Sequence, residues 1–511
     1  MKLRILATSD IHGKLFNYRY DGCIPHELIF THDDMGLISL ESEMKKYHTE
    51  HTIKIDNGDA IEGSPFLTHF YQEEKGENPM ALALNMCQYD YFNIGNHDLN
   101  YGGEVLANYI HNNKAQCLTG NLFYQGKRIG NEYTLITIED KTIALIGVIT
   151  HYINNWEKKQ YLEDFDVLDA FEYVQKTLNK IKHKEKVDGI VVVYHGGFEK
   201  DQDGNPEESL TGENQGYRMC TEIDGIDLLI SGHQHRTLAH RIKNTVVIQM
   251  GSEGRSFGKI DWDFDNHNIE AEIILNRGIY DQDLYYAFAS KEAEVQKWLD
   301  EPIGRLKGEN LAIKFPFLAR ACKSPYISFI NQVLRAKSCS DLAAFSLFYD
   351  IPGFEREIIT RRDILCNFPF VTHMVTLEVD GKLLKRYLEK AASYFAIDDG
   401  ELVVSNAYYT PRFQPYNYDM VDGIDYTFDI RNDVGNRVIS ILYQGNEVKD
   451  DDLFTLTVNN NRAAGGGGYD MFRDAKILKE DNINIDEEVI AYLKENDPAY
   501  VDHHDNIHII Y

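Results

Sequence analysis

Seven side chains able to bind metal recur in a fixed order along the first half of the chain: Asp10 and His12, Asp59, Asn96, His195, then His233 and His235. They stand in short blocks, Asp10-x-His12, Gly58-Asp59, Gly95-Asn96-His97-Asp98, His195 before two glycines, and Gly232-His233-Gln234-His235. Imidazole suits zinc, manganese or iron, while carboxylate and amide oxygens suit harder ions, so the mixed set favours first-row transition metals. The order fits two neighbouring divalent cations. Two ions about 3.5–4 Å apart can clamp both the attacking and the leaving oxygen of an in-line displacement at phosphorus, which makes phosphoester hydrolysis the leading chemistry.

Elements must hold such blocks together. Apolar runs at residues 3–7, 53–55, 190–193 and 228–230 read as buried strands ahead of the ligands. The ligands would then project from the carboxyl ends of strands, the edge at which α/β sheets bind ligands. Alone, a His-x-His is usually a surface or core accident, and Gly-Asp is a plain turn. Five fragments in order outweigh both readings. Between them, residues 35–47, 79–87 and 169–181 carry apolar residues near helical spacing, and residues 245–274 turn to short β segments that read as a sheet-closing hairpin region. A charged, helix-favouring stretch marks the domain junction at 286–306, after a first domain over 1–285 and before a second over 307–511. A chain of 511 residues exceeds one ordinary hydrophobic core.

These blocks resemble the calcineurin-like metallophosphoesterases, and nearly the whole chain is similar to the two-domain 5′-nucleotidase and 2′,3′-cyclic-nucleotide phosphodiesterase group. The match extends through Gly58-Asp59-Ala60-Ile61-Glu62-Gly63-Ser64-Pro65, through Tyr194-His195-Gly196-Gly197-Phe198-Glu199, and through Asn459-Asn460-Asn461-Arg462-Ala463 with four following glycines. It implies an α/β fold: a four-layer αββα sandwich followed by a smaller α/β (α+β) substrate-recognition domain. It implies too that Asp10, His12 and His235 bind one metal and Asn96, His195 and His233 the other, with Asp59 bridging. Manganese or zinc come first as the ions, then iron or cobalt. The nucleophile would be a water or hydroxide on the metals.

His97 resembles the family's catalytic histidine, with Asn100 where many relatives carry an Asp. An Asp would favour imidazolium, so the neutral amide leads us to expect a neutral ring that acts mainly as a hydrogen-bond donor. Gly95 to Gly102 also resembles the cyclic-nucleotide branch, Gly-Asn-His-Glu-Phe-Asn-Tyr-Gly. That tilts the expected substrate to 2′,3′-cyclic nucleotides or 3′-nucleotides, with a 5′-nucleotidase or nucleotide-sugar hydrolase as the alternative. A nucleotide-binding sensor without activity would show lost ligands, and all seven are present.

In the second half the expected substrate-binding residues are Phe370, Tyr416, Asn417, Tyr418, Asn461, Gly466 and Tyr469. Phe370 resembles a family aromatic that stacks on a nucleobase, a contact worth about 1–3 kcal/mol per base and tolerant of different bases. Asn461 stands where phosphodiesterase relatives tend to have a Tyr, and Tyr418 or Tyr469 would supply the missing ring. Residues 465–468 form a glycine run that lets backbone approach a ligand. Arg361 and Arg362 read as surface charges, and the acidic stretch 198–216 as a solvated flap.

A net charge of -29 argues against polynucleotide partners, since duplex binding leans on Lys and Arg. Two divalent cations would still draw in a small anionic nucleotide. Seven cysteines without a Cys-x-x-Cys pair read as reduced thiols. No leader-like segment and no apolar run near ~18 residues is present, so the expectation is a cytoplasmic protein without a membrane partner.

Overall fold

The computed structural model describes residues 1–20, 34–73, 76–155, 159–208, 210–277, 279–348, 351–355, 357–368, 372–409 and 413–511. Two compact units divide them, one running through Met1–Arg19 and Ile24–Val295, the other taking in Gln296–Tyr511.

The two main sheets of the first unit are built on twelve strands: β1 (Lys2–Thr8), β2 (Thr52–Asp56), β3 (Tyr91–Phe92), β4 (Gln116–Cys117), β5 (Thr134–Ile138), β6 (Lys141–Ile149), β7 (Gly189–His195), β8 (Leu228–Ser231), β9 (Thr237–Ile242), β10 (Thr245–Met250), β11 (Ser256–Asp263) and β12 (Asn268–Leu275). One six-stranded sheet has the order β12-β11-β1-β2-β3-β4 and the other β9-β10-β8-β7-β6-β5. β1 runs parallel to β2 and antiparallel to β11, while β7 runs parallel to both β6 and β8. Side-chain alternation sorts each strand between two layers of core. Val191 and Val193 of β7 pack with Leu3, Ile5, Ile53, Ile55 and Ile230 between the sheets, whereas Ile190, Val192 and Tyr194 face the other way.

Helices cover both outer faces. Helix α1 (Leu37–Met44) lies over the first sheet, where Lys54 Nζ of β2 donates to both oxygens of Glu41 at 2.8 and 2.7 Å and to the Cys87 carbonyl. Helix α2 (Ala170–Lys184) presents Phe171, Val174, Leu178 and Ile181 to the second sheet. That spacing is one stripe of a 3.6-residue helix, and the Asp169 side chain caps it by accepting the Glu172 N–H. The layers are therefore αββα. The expected hairpin region is divided: β10 joins the second sheet, and β11 and β12 close the first.

The second unit contains a five-stranded sheet made of β13 (Leu342–Ser346), β14 (His373–Asp380), β15 (Asp419–Asp422), β16 (Leu453–Asn459) and β17 (Lys476–Asn484), in the order β15-β13-β16-β14-β17. Helix α3 (Gly381–Ala392) buries Leu384, Tyr387, Leu388 and Ala391 in its core. The junction expected as a helix over 286–306 is helical only to Leu299, in Gln282–Leu299. After it, Pro302–Lys307 is a strand that pairs with Ile358–Thr360 and Ala499–Tyr500. Arg362 is not a surface charge: it is 5% exposed and its Nε donates to Asp300 at 2.8 Å. Among the described residues no helix is long and apolar enough to cross a membrane, and six cysteines are unpaired.

Candidate metal centre

All seven candidate ligands sit at or just beyond the carboxyl ends of parallel strands. Asp10 and His12 follow β1, Asp59 follows β2, Asn96 follows β3, His195 ends β7, and His233 and His235 follow β8. The loops are sewn to one another: the Asp10 N–H donates to the Gly58 carbonyl at 2.9 Å and the His12 N–H to the Asp59 carbonyl at 2.8 Å. Five of the seven hold left-handed backbone, Asp10 at φ 56°, His12 at 52°, Asp59 at 54°, His233 at 69° and His235 at 55°. Such conformations cost about 1–3 kcal/mol each and persist where surrounding structure over-determines them, which they do most at functional sites.

Asp10, His12 and His235 each bring a ligand atom within 4.8 Å of the others, and so do Asp59, His195 and His233. His195 Nδ1 lies 2.7 Å from the Asn57 carbonyl. A carbonyl only accepts, so that nitrogen carries the proton, as is usual for a metal-binding histidine held from behind. Its Nε2 then turns a lone pair to Asp59 Oδ2 at 3.0 Å and Asn96 Oδ1 at 3.2 Å. His12 repeats the arrangement: Nδ1 donates to the Glu62 carbonyl at 3.2 Å, and Nε2 faces His235 Nε2 at 3.0 Å. Asp59 Oδ2 is fully buried and, with the His195 ring neutral, meets no donor in bonding geometry. Acceptors stacked on acceptors require a cation, and this nitrogen and oxygen set suits a transition metal. The residues fit the two ions the sequence led us to expect.

Protonation follows the same electrostatics. Burial disfavours the charged form of His195, but the Asp59 carboxylate overrides it and lifts the ring to about 10. For His12, burial is again outweighed by the Glu62 bond and by Asp59, raising it to about 9. Burial would raise Asp10, yet the bond to His235 and the charge of His195 hold it at about 2. Asp59 is likewise held well below the usual carboxylate range, chiefly by His195 and His97 against the cost of burial. The cluster binds positive charge, whether protons or metal.

His97 is the partly open member, its side chain 27% exposed. Its Nδ1 is 2.7 Å from Asn100 Oδ1, an acceptor, so the proton of a neutral ring would sit on Nδ1. In that arrangement a neutral ring donates inward, to Asn100. A carboxylate is also at hand, since Glu62 Oε2 lies 3.5 Å from His97 Nδ1 and 3.7 Å from His12 Nδ1. Sequence reading missed Glu62 because nothing in Ala60-Ile61-Glu62 says that the side chain turns back under two histidines.

It also missed the role of the 198–216 stretch, which is woven into the centre and is not a plain solvated flap. Glu213 Oε1 lies 3.0 Å from His233 Nε2, Asn214 accepts the Gly197 N–H at 2.6 Å, and Glu208 accepts from Asn214 and Gln234. Burial pushes Glu208 up to about 7.

Most of the expected substrate residues of the second unit gather around the Arg462 side chain, which donates to the Gly466 and Tyr416 carbonyls, but they differ in exposure. Phe370 lies outside the described residues. Tyr418 and Tyr469 are both 0% exposed, which corrects their expected role as stacking platforms. Tyr418 is stacked on Tyr394 at 4.8 Å, and Tyr469 donates to the Asn417 carbonyl while Arg462 covers its ring at 4.3 Å. Their faces are already occupied. Asn417 is buried and donates to Gln414 Oε1, Tyr416 and Gly466 are half-buried, and Asn461 is exposed. A Cβ on Gly466 would stand 2.1 Å from Asn461 Oδ1, so a larger residue there would push that exposed side chain aside. Unanticipated, Tyr409 and Phe413 stack at 4.8 Å with ring planes 18° apart while 51% and 38% exposed.

Sandwich and ligand cluster together define the class of metallophosphoesterases. Family models agree: calcineurin-like phosphoesterase matches residues 3–237, and the 5′-nucleotidase C-terminal domain matches residues 302–474. The structure is similar to that of a putative 5′-nucleotidase from Staphylococcus aureus, solved with alpha-ketoglutarate, at 31% identity, 100% coverage of both chains and a TM-score of 0.90. The chain is 24% identical to the 2′,3′-cyclic-nucleotide 2′-phosphodiesterase/3′-nucleotidase of Haemophilus influenzae over 91% of its own length and 80% of that protein. It is 23% identical to the trifunctional nucleotide phosphoesterase protein YfkN of Bacillus subtilis over 96% of its own length, spanning 38% of that larger protein. The chain belongs to the two-domain 5′-nucleotidase family of calcineurin-like metallophosphoesterases.

Proposed function

We propose that the protein hydrolyses phosphoesters of nucleotides, with 2′,3′-cyclic nucleotides and 3′-nucleotides as its first substrates. The observation that carries this reading is the pair of neighbouring triads, Asp10, His12 and His235 beside Asp59, His195 and His233, with His195 Nε2 3.0 Å from Asp59 Oδ2 and 4.0 Å from Asp10 Oδ1. Asp10, His12 and His235 would hold one divalent ion, Asn96, His195 and His233 the second, and Asp59 both. When bound, such ions supply Lewis-acid neutralisation of phosphoryl charge and an activated water. The chain's residues do the rest. Asn57 and the Glu62 carbonyl fix the tautomers of His195 and His12 from behind. His97, held by Asn100 and flanked by Glu62, delivers a proton from Nε2 to the leaving oxygen.

The cyclic-nucleotide preference rests on the likeness of Gly95 to Gly102 to that branch and on the name of the Haemophilus influenzae relative. A 5′-nucleotidase is the second reading, supported by the description of the Staphylococcus aureus protein. In the second unit, Tyr416, Asn461 and Gly466 remain the candidate substrate contacts, and the exposed Tyr409 and Phe413 rings offer the stacking surface that Tyr418 and Tyr469 lack. Turnover of a panel of 2′,3′-cyclic, 3′- and 5′-nucleotides, with manganese or zinc and after chelation, tests the proposal. Activity indifferent to chelation would end it, and a 5′-nucleotide preference would select the second reading.

A further inference from the structure

Asp98 plays no part in the chemistry above, yet it is fully buried beside the bridging residue. Its carboxylate collects four backbone N–H groups from two loops. Oδ1 accepts from Ala60 at 2.8 Å and Ile61 at 2.9 Å, and Oδ2 from Gly95 at 2.7 Å and Asp59 at 3.0 Å. The clasp is returned: Asp59 Oδ1 accepts the His97 N–H at 2.7 Å, which leaves Oδ2 as the Asp59 oxygen without a donor. Backbone closeness makes the clasp possible. A Cβ on Gly58 would stand 2.3 Å from the Gly95 nitrogen, and one on Gly95 2.1 Å from Asp59 Oδ1. Asp59 at φ 54° therefore holds a left-handed turn whose N–H and the two that follow all end on one side chain.

We propose that Asp98 is the positioning residue of the metal centre: it locks the Asp59 loop to the loop carrying Asn96 and His97, and so sets the spacing between the bridging Asp59 and Asn96. A carboxylate is needed because only it offers acceptor lone pairs on both ends; an amide would turn an NH2 group against two backbone donors. This inference rests on the metal-centre reading of the proposed function. Partners that orient ligands in this way typically govern metal affinity by about 10–100-fold.

The test is calorimetric titration of Mn2+ into chelator-stripped wild type, Asp98→Asn and Asp98→Glu proteins, with kcat and KM measured alongside. Asp98→Asn should weaken at least one of the two binding steps by about 10–100-fold. Its KM should be unchanged, and its kcat should be partly restored by excess Mn2+. Asp98→Glu, which keeps both acceptors, should bind within about threefold of wild type. Binding of both ions by Asp98→Asn within about twofold of wild type would overturn the inference, as would equal losses in the two variants. Should Asp98→Asn not fold, amide exchange in the chelated wild type decides: the N–H groups of Asp59, Ala60, Ile61 and Gly95 should be protected, and free exchange there would overturn it. Wild type that takes up no pair of ions refutes the metal-centre reading itself, a result distinct from either.

Discussion

Two buried polar clusters, one in each unit, are balanced in opposite ways. Around Arg462 in the second unit, donors and acceptors match: Nε and Nη2 grip the two oxygens of Asp419 at 2.7 and 2.8 Å, Nη1 donates to the Gly466 carbonyl at 2.6 Å, and Tyr387 completes Asp419 at 2.8 Å. Around Asp59 in the first unit, lone pairs face lone pairs. The first pattern is closed and holds a glycine-rich loop in shape. The second has surplus negative charge and converging ligands, which mark a place for cations. Burial of polar residues alone does not tell a site from a scaffold; the balance of donors against acceptors does.

The comparison can be broken most decisively at its negative end. Asp59→Ala should lower kcat on the order of 10³-fold while the protein stays folded by circular dichroism, because it removes the shared ligand. Replacing His97 with Ala should cost about 10²-fold or more in kcat with metal uptake retained, read by calorimetry. At the balanced end, Arg462→Ala strands Asp419 in the core and should cost about 3–5 kcal/mol in a urea melt, with Mn2+ uptake unchanged. Mn2+ at 100 times its dissociation constant should raise the stability of the chelated protein by about 2.7 kcal/mol or more, since it binds only the folded state. The smallest effect concerns the two neighbours of His97: Asn100→Asp should change kcat within about threefold, whereas Glu62→Gln should lower it about tenfold, because Glu62 already supplies a carboxylate. Equal and large effects from both would remove Glu62 from the account.

Much of the first unit was legible because its elements obey short periods. The run at 3–7 grew only to Lys2–Thr8, and Asp169 does cap the helix expected from 169. Ligand order was legible for the same reason, each ligand being placed by the strand ahead of it. The second unit was less legible. Tyr418, Tyr469, Tyr409 and Phe413 are the same kind of residue in sequence, and nothing local separates the two that fill the core from the two that face solvent. Nor could Asp98 or Glu62 be weighed, since their partners come from across a loop or from another strand.

By itself, then, the chain's sequence determined the strand and helix periods of the first unit and the order of its candidate ligands, because periodicity and donor chemistry are local properties; the αββα layering was expected from the family resemblance. Only the tertiary structure decided which polar atoms face each other, which nitrogen of His195 meets a carbonyl, which aromatic rings remain open and which carboxylate ties the ligand loops together. Those depend on distances between segments far apart in the chain, and it is packing that sets such distances.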